Sequence, residues 1–336
     1  MKARAALAAE KDVVKLQEFE LDEGAIRPGQ LLVKTSYTVI SPGTELDCLS
    51  GRESSWFHFP QQLGYCAVGE VIAVGSGVTA CAVGDVVLTP TAHASHALVE
   101  ENMVRAEVPT GLDPQKAVWA HLALISITAL RASSAELGDY AVVVGQGLIG
   151  NFAAQLFRAQ GCRVIGIDRI ASRLDIARRC GTELVIDGSK EDAAAAVRKL
   201  TADREAEVVV EATGSAAAAL EAVNMVARNG EMILLGTPRG SHEADVVPLL
   251  RAVHRASPNV TLKGAHGYSI PQAADPWVKH SVARNATLIL DMIGRGELAV
   301  EPLLSRVAKP EEAPEVYRDL RDHPDRWLGV VFDWTT

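Results

Sequence analysis

The chain has 336 residues, of which 48% are hydrophobic, 22% charged and 5% aromatic, and its formal net charge is −9. That length exceeds one core and predicts two domains, and the composition is that of an ordinary globular protein. An acidic balance with no cluster of Lys and Arg argues against a nucleic-acid partner, because phosphate binding needs such clusters.

The start, MKARAALAAEKD, lacks the apolar stretch and cleavage site of a secretory signal. From there to about residue 110, short strands are cut by Gly and Pro: QLLVKTSYTVIS, GEVIAVG, GDVVLTP, HALVE and MVRAEVP. Regular spacing of this kind predicts an antiparallel, barrel-like domain. The longest apolar run, Ala117 to Leu130, is broken by His121 and two hydroxyl residues. It is shorter than the roughly 20 apolar residues of a bilayer span, so no membrane segment is expected. The cysteines (Cys48, Cys66, Cys81, Cys162 and Cys180) are scattered, odd in number and without a C-x-x-C. Such usage fits a reducing cytoplasm and gives neither a disulfide framework nor a zinc knuckle.

From Tyr140 the rhythm changes. Apolar strands (YAVVVG, CRVIGID, ELVID, EVVVEATG, EMILLGT, VTLKGAHG) alternate with helical stretches (NFAAQLFRAQG, ASRLDIARRCG, DAAAAVRKLTA, SAAAALEAVNMVARNG, VPLLRAVHRA). Strands joined by helices in this way predict an α/β fold with a doubly wound parallel sheet. The Ala-rich runs favour helix, and the chain ends on the strand-forming RWLGVVFDW.

Within VVVGQGLIGNFAAQLF, Gly145, Gly147 and Gly150 have G-x-G-x-x-G spacing at the end of a buried strand and the start of a helix. The first glycine allows the tight turn and the second lets the backbone approach a pyrophosphate. The third lets strand and helix pack closely, and the free N–H groups of the helix face the anion. Asp168 ends the next strand, 18 residues after Gly150. A carboxylate there accepts both hydroxyls of the adenosine ribose and repels a 2′-phosphate, so NAD is expected over NADP. Arg169 and Arg173 follow closely, and an arginine near this point can instead pair that phosphate.

Gly64 with GEVIAVGSGVTACAVGDVV, the glycine turn at Gly145, EATGSAAAALEAVNMVARNGEMILLG and RWLGVVF together resemble the medium-chain dehydrogenase/reductase family from end to end. The resemblance implies a GroES-like antiparallel β-barrel catalytic domain over residues 1–121 and 269–336, and a Rossmann domain over 122–268. It also implies a dinucleotide held by Gly145, Gln146, Gly147, Leu148, Ile149, Gly150, Asp168, Arg169 and Arg173, and by Thr213, Leu235, Gly236, Thr237 and His266 of the later strand ends. Members are often dimers or tetramers.

Zinc-binding members hold the metal at three protein positions. The first, a Cys in a Cys-Gly-Thr-Asp-like turn, reads here Pro42-Gly43-Thr44-Glu45; the Gly-His-Glu that follows reads Gly64-Tyr65-Cys66. A last ligand position falls on His121, and the four-cysteine structural lobe is missing. Proline cannot ligate, tyrosine is a poor zinc ligand, and Cys66 with His121 falls short of three, while His58, His93 and His96 match no ligand spacing. No zinc is expected. "ISPGTE" with "GY" further resembles a zinc-free subgroup that includes the bacteriochlorophyllide hydroxyethyl dehydrogenases.

The resemblance implies oxidation of a secondary alcohol (polyol, sugar-derived or ring-bearing) to a ketone, with a small-molecule alcohol or ketone as partner. Without a metal, side chains must take the hydroxyl proton. Thr44 holds the family's hydroxyl-relay position and Tyr65 stands where a metal-binding His stood. Glu45 is placed to orient Tyr65 or His121, and His121, with an ordinary pKa near ~6.5, can carry a proton. The other readings are a zinc-free quinone or enoyl reductase of the same family, which Asp168 opposes, and a dinucleotide-binding protein without catalysis.

Overall fold

The Ala-rich N-terminal run is a strand, not the helix that alanine favours. β1 (Lys2–Glu10) pairs antiparallel with β2 (Val13–Glu20), and Asp12 turns the hairpin at a φ of 57°, which aspartate tolerates. Ala3, Ala5, Ala6 and Ala8 are all buried, so tertiary packing outweighs local propensity here. The computed structural model describes residues 1–52 and 57–336, and the chain divides into two units.

The first unit takes Met1–Leu122, Ile270–Gly296 and Leu303–Thr336. After the hairpin come β3 (Gln30–Val39), α1 (Pro42–Leu49), β4 (Gln61–Gln62), β5 (Ala67–Val74), β6 (Val86–Thr89), β7 (His96–Glu100) and β8 (Ala106–Glu107). α2 (Pro114–Ala117) leads into α3 (Ala120–Ala132), whose start carries His121. Two residues of β4 join β1 on the side away from β2. The larger sheet centres on β3, which pairs antiparallel with β5 and with β7, and β5 continues through β6 to β8. Each strand foreseen between residues 30 and 108 is therefore present. Leu31, Val33, Val71, Val87 and Val99 close one side of this sheet. A second core gathers Ile40, Leu63, Val316, Tyr317, Leu320, Val330 and Phe332.

The second unit takes Ala123–Ser269 and Glu297–Pro302. Its strands and helices alternate: β9 (Tyr140–Val144), α4 (Leu148–Ala159), β10 (Arg163–Asp168), α5 (Ala171–Arg179), β11 (Leu184–Asp187) and α6 (Ala193–Leu200). The second half repeats the pattern with β12 (Ala206–Glu211), α7 (Ala216–Ala222), β13 (Val226–Leu234), α8 (Val247–His254) and β14 (Thr261–Gly264). All six strands are parallel, in the order β11-β10-β9-β12-β13-β14. The order reverses between β9 and β12, which is the Rossmann arrangement. Ala141, Val143, Val208, Val210 and Ile233 face one helical layer, and Val142, Val209 and Met232 face the other.

One predicted helix is too long. The stretch SAAAALEAVNMVARNG ends as a helix at Ala222, and Val226 already opens β13 opposite Ala206. Val223 and Val226 are β-branched and buried, which suits the approach to a strand better than a helix interior, and Asn229 takes a φ of 63° beside Gly230.

Back in the first unit, α9 (Val282–Gly294), β15 (Leu304–Ala308), α10 (Ala313–Asp322) and β16 (Gly329–Asp333) complete the chain. β16 lies between β3, antiparallel, and β15, parallel. Among the described residues no helix is long and apolar enough to cross a membrane.

Gly329 opens β16 under the ring of Trp119, and a Cβ there would sit 2.4 Å from that ring and 2.6 Å from the Leu303 carbonyl oxygen. Neither neighbour has room to move. Gly329→Ala should cost about 1–3 kcal/mol of stability, as overpacking does, measured by urea unfolding.

Candidate active site

α1 starts at Ser41, followed by Pro42 at the first helical position, where a missing N–H costs nothing. The Ser41 side chain makes no capping bond to its own helix. Glu45, one turn in and 2% exposed, supplies a substitute: its Oε1 accepts the Ser41 backbone N–H at 2.7 Å. Its Oε2 receives His93 Nε2 at 2.9 Å and the Tyr317 hydroxyl. Glu45, expected to orient Tyr65 or His121, thus meets Tyr65 through Ser41. His93, set aside on spacing, lies fully buried beside it and stacks edge-on against Phe332 at 5.3 Å. The ring occupies the space over Gly64, where a Cβ would come within 2.6 Å of it, and Gly64 itself has a φ of 89°.

Tyr65 lies just beyond. Its hydroxyl donates to Ser41 Oγ at 2.6 Å, and its ring meets His121 edge-on with centroids 5.7 Å apart. Burial, and to a lesser degree Cys66, pushes the phenol pKa upward, while hydrogen bonds with Ser41 and Thr44 pull it back. His121 is 7% exposed and its Nδ1 has no hydrogen-bond partner. Burial first, and the charge of Arg105 second, pushes its pKa down to about 3. Arg105 is itself buried and donates to the Gln272 side chain. Cys66 is fully buried, and burial holds its thiol well above the ordinary value. At neutral pH Tyr65, Cys66 and His121 are therefore all uncharged. Of these three, Tyr65 keeps some exposure, as does Thr44.

That chemistry does not fit a catalytic zinc, which takes three deprotonated protein donors. Pro42 has no donor atom and the Tyr65 hydroxyl bonds Ser41, which leaves Cys66 and His121, one short of three. His93 is committed to Glu45, His58 is exposed, and His96 Nδ1 bonds Ser95 Oγ. Among the described residues no three His, Cys, Asp or Glu side chains are grouped to hold a metal ion.

A dinucleotide, by contrast, fits the turn between β9 and α4. Gly145 has a φ of 92° and packs against Thr213, and a Cβ on Gly150 would lie 1.8 Å from the Gly145 carbonyl oxygen. Over Gly147 the space is open, and α4 begins there with no side-chain cap, so its first N–H groups are available to a phosphate. Leu148 is buried under this turn, and Ile149 is partly so. Asp168 accepts the Gln146 N–H on Oδ2 at 2.7 Å and the Ile170 N–H on Oδ1 at 2.9 Å, leaving lone pairs for two hydroxyls. Arg173 Nη1 is 4.0 Å from Asp168 Oδ2, and Arg169 is exposed. The Gln146 side chain turns inward to the Val143 carbonyl, so only its main chain remains on the turn.

The later strand ends pack backbone against backbone. A Cβ on Gly214 would meet the Thr237 carbonyl oxygen at 2.3 Å, and one on Gly236 would meet Gly214 N at 2.2 Å. Leu235 is buried, whereas Thr213, Thr237 and His266 are exposed. Sequence reasoning missed Glu211, whose carboxylate gathers the Thr213 and Gly214 N–H groups and the Thr213 hydroxyl. It also missed Ser41 and Tyr317, and weighed His93 only as a metal ligand. Only Ser41 carries a local signal, as Ser before Pro at a helix start.

Residues 27–126 match the model of the alcohol dehydrogenase GroES-like domain, and residues 149–295 match that of the zinc-binding dehydrogenases. D-guloside 3-dehydrogenase of Escherichia coli (strain K12) is 30% identical over 277 residues, covering 81% of this chain and 77% of that protein. The chain belongs to the medium-chain, zinc-type alcohol dehydrogenase family. As a member of it, the protein is an oxidoreductase that acts on alcohol groups. A sorbitol dehydrogenase of Halalkalibacterium halodurans is 27% identical over 62% of this chain and 69% of its own. In fold, this medium-chain dehydrogenase is similar to galactitol-1-phosphate dehydrogenase from Escherichia coli, with a TM-score of 0.85 over 98% of this chain and 99% of that one, at 17% identity.

The neutral His121 makes a pH-dependent prediction. Above pH ~6.5 the ring is neutral in both the folded and the unfolded chain, so it adds no pH effect. Below that, only the unfolded chain takes up the proton until about pH 3. Stability should fall on acidification across this window by up to about 1.4 kcal/mol per pH unit from this group. In His121→Asn the acid loss, followed by urea unfolding at a series of pH values, should be shallower by about one proton.

Proposed function

We propose that the protein oxidises a secondary alcohol, polyol or sugar-derived, to a ketone with NAD and without a catalytic zinc. The observation that carries this reading is the Tyr65 hydroxyl, bonded to Ser41 and flanked by Thr44, at a position matching a zinc ligand of the family. NAD, when bound, accepts the hydride from the carbinol carbon. The side chains have the complementary task of receiving the hydroxyl proton. The Tyr65 hydroxyl, whose hydrogen is held by Ser41 and which Thr44 also bonds, can take it once that hydrogen has left. His121 stays neutral, so its Nδ1 can accept a hydrogen bond without storing charge. Tyr65 takes the carbinol proton as the phenolate: its own hydrogen leaves first to solvent, to which Tyr65 is partly open, and the carbinol proton replaces it as hydride moves to NAD. The polyol and sugar-derived substrate class is supported by relatives whose names are D-guloside 3-dehydrogenase and sorbitol dehydrogenase.

Asp168 favours NAD over NADP. It is 8% exposed, and a 2′-phosphate beside a buried carboxylate would set two anions together. Asp168→Ala should weaken NADH binding far more than NADPH binding, by fluorescence titration, because both cofactors lose the turn's acceptor but only NADH loses its ribose partner. Equal losses for both would remove the basis for NAD.

NADH should appear when the protein is incubated with NAD and a panel of polyols and sugar alcohols. Tyr65→Phe should lower that turnover about 10²–10⁴-fold, the usual cost of a positioned acid or base, with NAD affinity kept. Cys66→Ser should be nearly silent, because a buried protonated thiol has no task in this step. Metal analysis should find well under one zinc per chain; a tightly bound zinc whose removal ends turnover would overturn the reading.

A further inference from the structure

We infer that Ser41 is a positioning residue for the Tyr65 phenol, a rotatable hydroxyl that accepts the phenolic hydrogen while Tyr65 is protonated and donates to the phenol oxygen once that hydrogen has left. The inference rests on the reading of Tyr65 as the group that receives the carbinol proton. Three observations support it.

First, the Tyr65 hydroxyl donates to Ser41 Oγ at 2.6 Å, and Ser41 is 5% exposed while Tyr65 is partly open to solvent. The hydrogen of the phenol is thus held on its inner side. Second, Ser41 occupies the N-cap of α1, where a serine oxygen ordinarily accepts an N–H of its own helix. Here it makes no such bond, and its oxygen is given to Tyr65 instead. Third, the backbone of Ser41 is fixed by Glu45 Oε1 at 2.7 Å, and Glu45 is fixed in turn by His93 and Tyr317. A buried frame therefore sets where Oγ lies, and the hydroxyl keeps only its rotation.

That rotation suits a reversible reaction. With Ser41 donating, the phenolate of Tyr65 is held ready to take the proton of an alcohol; with Ser41 accepting, the protonated phenol is held ready to give that proton back to the oxygen of a ketone. Serine and tyrosine hydroxyls can both donate and accept, which an alanine cannot. The charged and titratable groups around the phenol are Glu45 on α1, His121 on α3 and its neighbour Cys66. The Ser41 and Thr44 bonds oppose the upward push of burial on the phenol.

The test compares Ser41→Ala, Ser41→Thr, Tyr65→Phe and the Ser41→Ala/Tyr65→Phe double variant. Ser41→Ala should lower kcat about 10- to 100-fold, the range for one strong hydrogen bond, with the KM for alcohol and the affinity for NADH little changed. Its kcat–pH profile should move to higher pH. Ser41→Thr, which keeps the hydroxyl, should restore both. In the Tyr65→Phe background, Ser41→Ala should cost nothing further, since the two act as one unit. A readout without turnover uses protein carrying isotope-labelled tyrosine. The ring-carbon resonance beside the Tyr65 hydroxyl, assigned by its loss in Tyr65→Phe, should shift in Ser41→Ala and return in Ser41→Thr. An unmoved resonance, or a Ser41→Ala profile like that of the parent, overturns the inference. If Tyr65→Phe retains full activity, the reading of Tyr65 fails instead, and the resonance still decides whether Ser41 holds the phenol.

Discussion

A carboxylate taken out of water is tolerated only where donors meet it, and the first unit is organised around one such group. Glu45 collects the Ser41 N–H, the His93 ring and the Tyr317 hydroxyl on its two oxygens. Each bond ties down a different stretch of chain: the start of α1, the segment before β7, and α10. The anion also lies in the first turn of α1, where the helix dipole favours negative charge. Through Ser41 this frame reaches Tyr65, and through the His93 ring it reaches Gly64. Removing any one donor would leave the charge less satisfied and would loosen the others with it.

The same burial explains why the site is electrically quiet. Desolvation pushes Tyr65 and Cys66 upward and His121 downward, in each case against the charged form. Pro42 offers no donor atom, and the Tyr65 hydroxyl stays protonated beside Ser41. What remains are groups that exchange hydrogen bonds, and hydroxyls are suited to that.

Much of this was legible in the sequence, and the limits follow from distance along the chain. The Rossmann strands were readable because buried parallel strands are continuous apolar runs, and the glycine turn because its spacing sits at a strand end. The β1 strand was hidden because alanine favours helix when nothing is known of its neighbours. In the same way the helix foreseen across 215–230 ran on into β13, because only the pairing of Val226 with Ala206 ends it. Tyr65, Thr44 and His121 could be singled out from their motifs. The partner of Glu45 could not, since His93 lies 48 residues away and Tyr317 lies 272. No local pattern encodes a pairing of that span.

Asp168 has a consequence for anyone who would redesign the protein's choice of dinucleotide. Each of its oxygens already holds one backbone N–H, from Gln146 in the glycine turn and from Ile170 at the start of α5. Asparagine has a single acceptor oxygen and would turn its amide hydrogens toward one of those donors. Alanine would leave both unanswered. A swap at Asp168 would therefore slacken the turn between β9 and α4 as well as change the charge beside it. A workable redesign has to bring a replacement acceptor for the turn along with the new cation.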